Sequence, residues 1–284
     1  MSRTRPSEQD YIEDNSPETS DEKRALYQQK IQAFEDKIDA IHKKEKSLLL
    51  LSTGGAYREW ALKQLFLADD MLNLVLYQLK INAVFTDFYN VRSEKALNEG
   101  RKTIYKFLIY LENVVTGGVD VPYSNYSDKL DEIASFTAEQ RYRLVEKGKK
   151  TIALLKNAYG ENTKWKWSFV DLDGRFAAVA KNFLDQKKIV LNTDPSAPDY
   201  EPTVRHLWLV KELLDHAAGR YREKYELSTK RRDDFQAGIN FLGALFRIHA
   251  LVWEKDEATE VKKKKETWTA RLEADVKNKK AHTR

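Results

Sequence analysis

Residues 56–90 read AYREWALKQLFLADDMLNLVLYQLKINAVFTDFYN. Trp60, Leu62, Leu65, Phe66, Leu67, Met71, Leu72, Leu74, Val75, Leu76, Leu79, Val84, Phe85 and Phe88 fall on nearly every face of a helix with 3.6 residues per turn. A helix that is apolar all round is one surrounded by others. Lys63, Gln64, Asp69, Asp70 and Asn73 interrupt the apolar run, so it does not reach the length of a membrane span. The stretch therefore predicts an all-α protein with a central helix over Ala56–Asn90.

The flanking sequence carries the same signature. The six prolines fall at Pro6, Pro17, Pro122 and the cluster Pro195, Pro198 and Pro202, leaving long stretches of Leu, Lys, Glu, Gln and Ala without a breaker. Ser16-Pro17-Glu18 combines a capping serine, proline at the first helical position and an acid at the positive end of the dipole. From there Tyr27, Ile31, Phe34, Ile38, Ile41, Glu45 and Leu48 recur in alternating steps of four and three. This is a heptad seam with Glu45 its only polar member, running to Gly54-Gly55. Such a narrow stripe packs on one neighbour, in this chain or in another. A third helix is predicted from Ser93 to Val115, stopped by Gly117-Gly118, with a loop at Val119–Ser127. Thr137-Ala138-Glu139-Gln140 is a capping box opening a helix to Tyr159.

Beyond the Lys164-Trp165-Lys166-Trp167 loop a helix is expected over Arg175–Val190, and Asn192–Pro202 reads as an elbow. Leu207, Val210, Leu214, Ala217, Tyr221 and Tyr225 then line one face. Phe235, Ile239, Leu242, Phe246, His249 and Trp253 form a second heptad, with Gly238, Gly243 and Ala244 admitting a close neighbour. With no proline after Pro202, both runs read as one very long helix. The tail Glu254–Arg284 has few large apolar residues (Val261, Trp268, Leu272 and Val276) and is marginal as a helix without a neighbour. The expected fold is an elongated, bent bundle of long amphipathic helices with coiled-coil-like packing. Its parts are an acidic flexible N-terminal tail (1–15), a helical bundle portion (16–191), a proline-rich elbow (192–202), a long helical portion (203–256) and a charged C-terminal tail (257–284).

The chain of 284 residues is 42% hydrophobic and 33% charged, with a modest net charge of +5. The charge is uneven: residues 1–22 are acidic and 255–284 basic, which suits electrostatic contact in an assembly or two solvated ends. The absence of cysteine excludes disulfides, thiolate catalysis and cysteine-based zinc sites. Met1–Asp21 is polar and acidic, so no signal peptide is read in this numbering.

No constellation amounts to a catalytic signature, and the expectation is a protein without catalytic, cofactor or metal site. Phe169-Val170-Asp171-Leu172-Asp173-Gly174 resembles the first motif of haloacid-dehalogenase phosphatases. That chemistry needs a parallel sheet, and no further strands are predicted. The alternative is a helix cap with Asp171 or Asp173 on the orphan amides. Asp39-x-x-His42 and the pair Glu212 and His216 lack the matching ligands of a carboxylate bundle. His249 sits on an apolar seam and reads as a core histidine. Lys262–Lys265 is a short basic patch among acids. The contact candidates are aromatics placed in loops: Tyr123, Tyr126, Trp165 and Trp167.

Together, the early heptad helix, the Lys164–Trp167 loop, the proline elbow and the charged tail, in a cysteine-free chain rich in Trp and Tyr, resemble the flagellar-coiling proteins of Leptospira. The resemblance lies in the character of the whole chain, and no short motif carries it. It implies a non-enzymatic sheath protein of the periplasmic flagellar filament that touches flagellin core proteins and other sheath proteins, self-associates, and promotes filament curvature for motility. A periplasmic location implies that the chain is a mature form. The alternative is a helical adaptor or nucleic-acid binder using the basic C-terminal tail.

Overall fold

A computed structural model describes residues 17–50 and 56–282 of the chain. The elements in order are α1 (Pro17–Leu50), α2 (Tyr57–Tyr89), α3 (Glu94–Val114), α4 (Ser127–Glu132), α5 (Ala138–Tyr159), α6 (Lys166–Asn182), α7 (Gln186–Asn192), α8 (Tyr200–Lys224), α9 (Arg232–Leu251) and α10 (Lys255–His282). Tyr123–Asn125 forms a 3-10 turn and Tyr225–Thr229 a π turn. Among the described residues there is no strand, and the protein is all-α. Ser16, Gly54 and Gly55, with the signals read on them, lie outside the described residues.

The chain divides into two compact units. One takes the described residues up to Tyr110 together with Lys147–Thr163, and the other takes Leu111–Glu146 and the described residues from Lys164 onward.

In the first unit the heptad seam of α1 finds its neighbour in α2. Ile31, Ile38 and Glu45, seven residues apart, are buried, while Tyr27, Phe34, Ile41 and Leu48 are half-buried. Tyr27 packs edge-on against Phe85, Phe88 and Tyr89, and Phe34 stacks on Tyr77. Glu45, the polar member, accepts hydrogen bonds from Lys106 (2.8 Å) and from the hydroxyl of Tyr110 on α3. Burial alone would push its carboxyl up, but these bonds outweigh it and hold the pKa below the usual value. On α2, Ala61, Leu65, Ala68, Met71, Leu72 and Val75 are fully enclosed, with Phe66 left exposed. Asn90 closes α2 in the left-handed region. Ser93 caps α3, its hydroxyl accepting from the Ala96 amide at 3.1 Å.

In the second unit the capping box forms as read: the Thr137 amide donates to Gln140 Oε1 (2.9 Å) and the Gln140 amide to Thr137 Oγ1 (3.2 Å). Helix α8 packs on α6 and α9, and α10 packs on α9. Of the face the sequence predicts, Leu207, Val210, Leu214 and Ala217 are buried on α8, Tyr221 is half-buried, and Tyr225 is buried in the π turn that follows. Gly238 lets α9 approach α8 closely, since a Cβ there would sit 3.0 Å from the Ala218 carbonyl oxygen. The tail finds its support on α9, with Ala258, Trp268 and Leu272 buried and Trp268 against Phe235 at 5.8 Å. The stretch 192–202 turns the chain between α7 and α8. Pro202 occupies the first turn of α8, where a missing amide costs no internal bond.

Four expectations give way to the structure. The run after Pro202 is two helices, because α8 ends in the π turn and Lys230 adopts φ 50°. Thr229 Oγ1 then donates to Asp234 Oδ2 at 2.6 Å, and Asp233 and Asp234 favour the positive end of α9. The helix expected over Arg175–Val190 is also two: α6 begins earlier, at Lys166, and α7 restarts at Gln186. The Asp-x-Asp-Gly motif consequently lies inside α6, neither at a strand end nor at a cap. The reason is lateral packing. Gly174 is the contact point for Tyr221, whose ring a Cβ would meet at 2.5 Å, and Asp171 accepts from Lys224 at 2.8 Å. Finally, Trp253 leaves the second seam, because α9 ends at Leu251.

Candidate functional site

The four aromatic contact candidates are held by the second unit to different degrees. Tyr126 presents 1% of its surface, packs edge-on against Tyr123 and accepts a long hydrogen bond from Gln186. Burial pushes its hydroxyl up to about 12. The half-buried Tyr123 donates its hydroxyl proton to Asp185 Oδ1 at 2.9 Å. Trp165 and Trp167 are half-buried at the start of α6, each with the preceding lysine over its ring, at 5.2 Å for Lys164 and 4.9 Å for Lys166. Lys166 is itself anchored to Glu223 at 3.0 Å.

The unit leaves two other indoles largely exposed. Trp208 on α8 is 64% exposed and Trp253, in the turn between α9 and α10, is 75% exposed. The turn is a Schellman motif: the Trp253 amide donates to the Ala250 carbonyl (3.3 Å) and the Glu254 amide to the His249 carbonyl (3.1 Å). This motif requires a left-handed residue, a place usually taken by glycine, and Trp253 occupies it at φ 60°. A bulky side chain there costs about 1–2 kcal/mol. Exposed to this degree, the indole recovers little by packing.

Glu254, the next residue, is the hub of a small charged cluster. Lys211 donates to both of its oxygens (2.5 and 2.6 Å), and His249 Nδ1 lies 2.6 Å from Oε2. Burial raises the Glu254 pKa, but these two partners outweigh it and the net shift is downward. His249, its side chain 12% exposed, is thus a largely buried histidine whose ring is satisfied by a carboxylate. Trp208 lies one turn before Lys211 in the chain, and Trp253 directly precedes Glu254. Sequence reading assigned Trp253 to the heptad because the spacing from His249 is right. The missing glycine concealed the turn.

The same unit holds a cavity of about 150 Å³ in which Arg141, His206, Thr203, Asn192 and Asp185 stand among apolar side chains such as Phe136, Phe183 and Ile189. Arg141 is buried because it caps carbonyls: Nε donates to Phe136 (3.0 Å), and Nη2 to Leu130 and Ile133 (3.3 Å each) at the end of α4. His206 meets the Ala180 carbonyl at 3.1 Å, which makes its Nε2 the protonated nitrogen. Burial pulls its pKa down to about 3, so the ring is neutral and unsuited to general base work near neutrality. Both side chains satisfy helix-end carbonyls, and the cavity assembles no nucleophile–base pair.

Among the described residues no helix is long and apolar enough to cross a membrane, and no three metal-ligating side chains come together. The sequence profile of the TP0443 family matches residues 23–276, and the chain belongs to that family. No curated protein and no solved structure matches it significantly.

Proposed function

We propose that this member of the TP0443 family is a non-catalytic structural protein that docks on a protein partner through Trp208 and Trp253. We further propose that it serves in the sheath of a periplasmic flagellar filament, assembling there and promoting curvature. The observation that carries the docking reading is Trp253, 75% exposed and in the left-handed region. Neither its backbone conformation nor its packing favours tryptophan there. Exposed indoles that gain burial only on association are the commonest energetic anchors of protein interfaces. The filament placement rests on the resemblance in chain character to flagellar-coiling proteins. Long helices docked side by side suit repeated weak contacts along a filament, which together bias its bend. The nucleic-acid alternative draws little support from α10, where Lys264 pairs with Asp215 (2.8 Å) and Arg271 with Glu226 (2.7 Å).

The test uses Trp253→Gly, because glycine suits the left-handed position. The variant is expected to gain about 1 kcal/mol in stability, seen as a raised Tm, while losing co-sedimentation with flagellar filaments. Trp208→Ala is expected to weaken co-sedimentation with little change in Tm. Undiminished co-sedimentation of the double variant would overturn the docking assignment. Failure of the unaltered protein to co-sediment would overturn the filament placement.

A further inference from the structure

A second cavity of the same unit, about 270 Å³, lies where Asp120–Tyr123 meets α6 and α9. Its polar wall is Lys181, Arg247, Gln186 and Asp120, and its apolar wall includes Ala244 and Ile248. Lys181 is only 4% exposed. Its ammonium donates to the Val119 carbonyl at 2.9 Å, and among the described residues it has no carboxylate within ion-pair distance. The ammonium also lies over the Tyr126 ring, 5.8 Å from its centroid, but with one carbonyl as its hydrogen-bond acceptor it keeps donors unspent and no carboxylate in contact. The nearest charged neighbour from α9 is a second cation. Arg247, half exposed, reaches Asp120 at 3.1 Å and also approaches the Val119 carbonyl at 3.5 Å. Burial, then Arg247, pulls the Lys181 pKa down to about 8, with Asp120 opposing.

Two cations and one carboxylate leave the cavity one positive charge in excess, which a single negative charge neutralises. Beside those charges stands a hydrocarbon surface. We propose that this cavity binds a short-chain monocarboxylate, its carboxylate bridging Lys181 and Arg247 and its hydrocarbon lying on Ala244 and Ile248. The excess charge matches a monoanion better than a dianionic phosphate. The alkyl wall favours a chain of several carbons over acetate. The site is separate from the indoles assigned to docking, and the proposal stands or falls independently of that reading.

The experiment titrates hexanoate, acetate and inorganic phosphate into the full chain at matched ionic strength. Thermal shift and calorimetry are the readouts, with hexanol as the uncharged control. Hexanoate is expected to bind saturably and raise Tm, with acetate at least about tenfold weaker, phosphate weaker again and hexanol inert. Lys181→Met, close in shape to the buried side chain, is expected to abolish hexanoate binding. Arg247→Gln, at a half-exposed position that leaves the core intact, is expected to weaken it about tenfold and keeps the test decisive should Lys181→Met fail to fold. Absence of saturable hexanoate binding, phosphate binding as tight as hexanoate, or full retention of binding in Arg247→Gln would overturn the proposal.

Discussion

A histidine kept neutral in the interior makes stability depend on pH. His206 is enclosed between α6 and α8, with Nε2–H on the Ala180 carbonyl, one of the last four of α6 that lack an intrahelical donor. Burial lowers its pKa to about 3. The carbonyl contact partly opposes this, and the charge of Arg141 adds to it. In the unfolded chain the ring takes a proton below about 6.5, whereas the folded protein resists until about 3. The unfolded state therefore binds more protons across that interval, and stability is lost as pH falls from about 6.5 toward 3. Replacing His206 by Gln keeps a donor for the carbonyl and removes the titration. The difference in Tm between pH 7 and pH 4.5 is expected to shrink in His206→Gln. Parallel acid curves for the two proteins would show that other groups drive the loss.

At the scale of elements, the approach of α8 to α6 is set by one hydrogen atom. Gly174 carries no side chain, so Tyr221 lies against the α6 backbone while its ring stacks on Phe241 at 5.6 Å. Two effects compete in Gly174→Ala. Alanine in a helix is favoured over glycine by about 1 kcal/mol. The added Cβ, however, would lie 2.5 Å from Tyr221 and 3.2 Å from Phe241, in packing held on both sides. Overpacking of this kind costs about 1–3 kcal/mol. A net loss is expected in urea unfolding, and most of it should vanish when Tyr221 is replaced by Leu, as a double-mutant cycle would reveal. Sequence reading identified the small residues of α9 as points of close approach but not Gly174. The acids around Gly174 pointed instead to caps and phosphate chemistry.

At the scale of the second unit, the basic tail as far as His282 is a helix packed on α9. Trp268 is 6% exposed, set between Phe235 and the Arg222 guanidinium, which lies 5.0 Å from its ring. Trp268→Ala is expected to cost about 3–5 kcal/mol in urea unfolding. A loss below about 1 kcal/mol would mean that α10 is only loosely attached. The contact candidates read from the sequence and the exposed indoles of the structure are different residues. Tyr126 is enclosed, whereas Trp253 was counted as core, because exposure depends on what lies opposite a residue rather than on its type.

Sequence by itself determined that the protein is helical, and it located most of the local signals. The seam of α1, the Thr137–Gln140 capping box and the buried face of α8 are written in spacings of a few residues. Such spacings act within one or two turns of backbone. Tertiary structure decided where helices stop against propensity, at Tyr225–Thr229, at Asn182 and at Leu251. It also decided that Asp171 and Gly174 sit mid-helix. That choice rests on Lys224 and Tyr221, about fifty residues away, and no local pattern holds information about a neighbour that arrives only when the chain has folded.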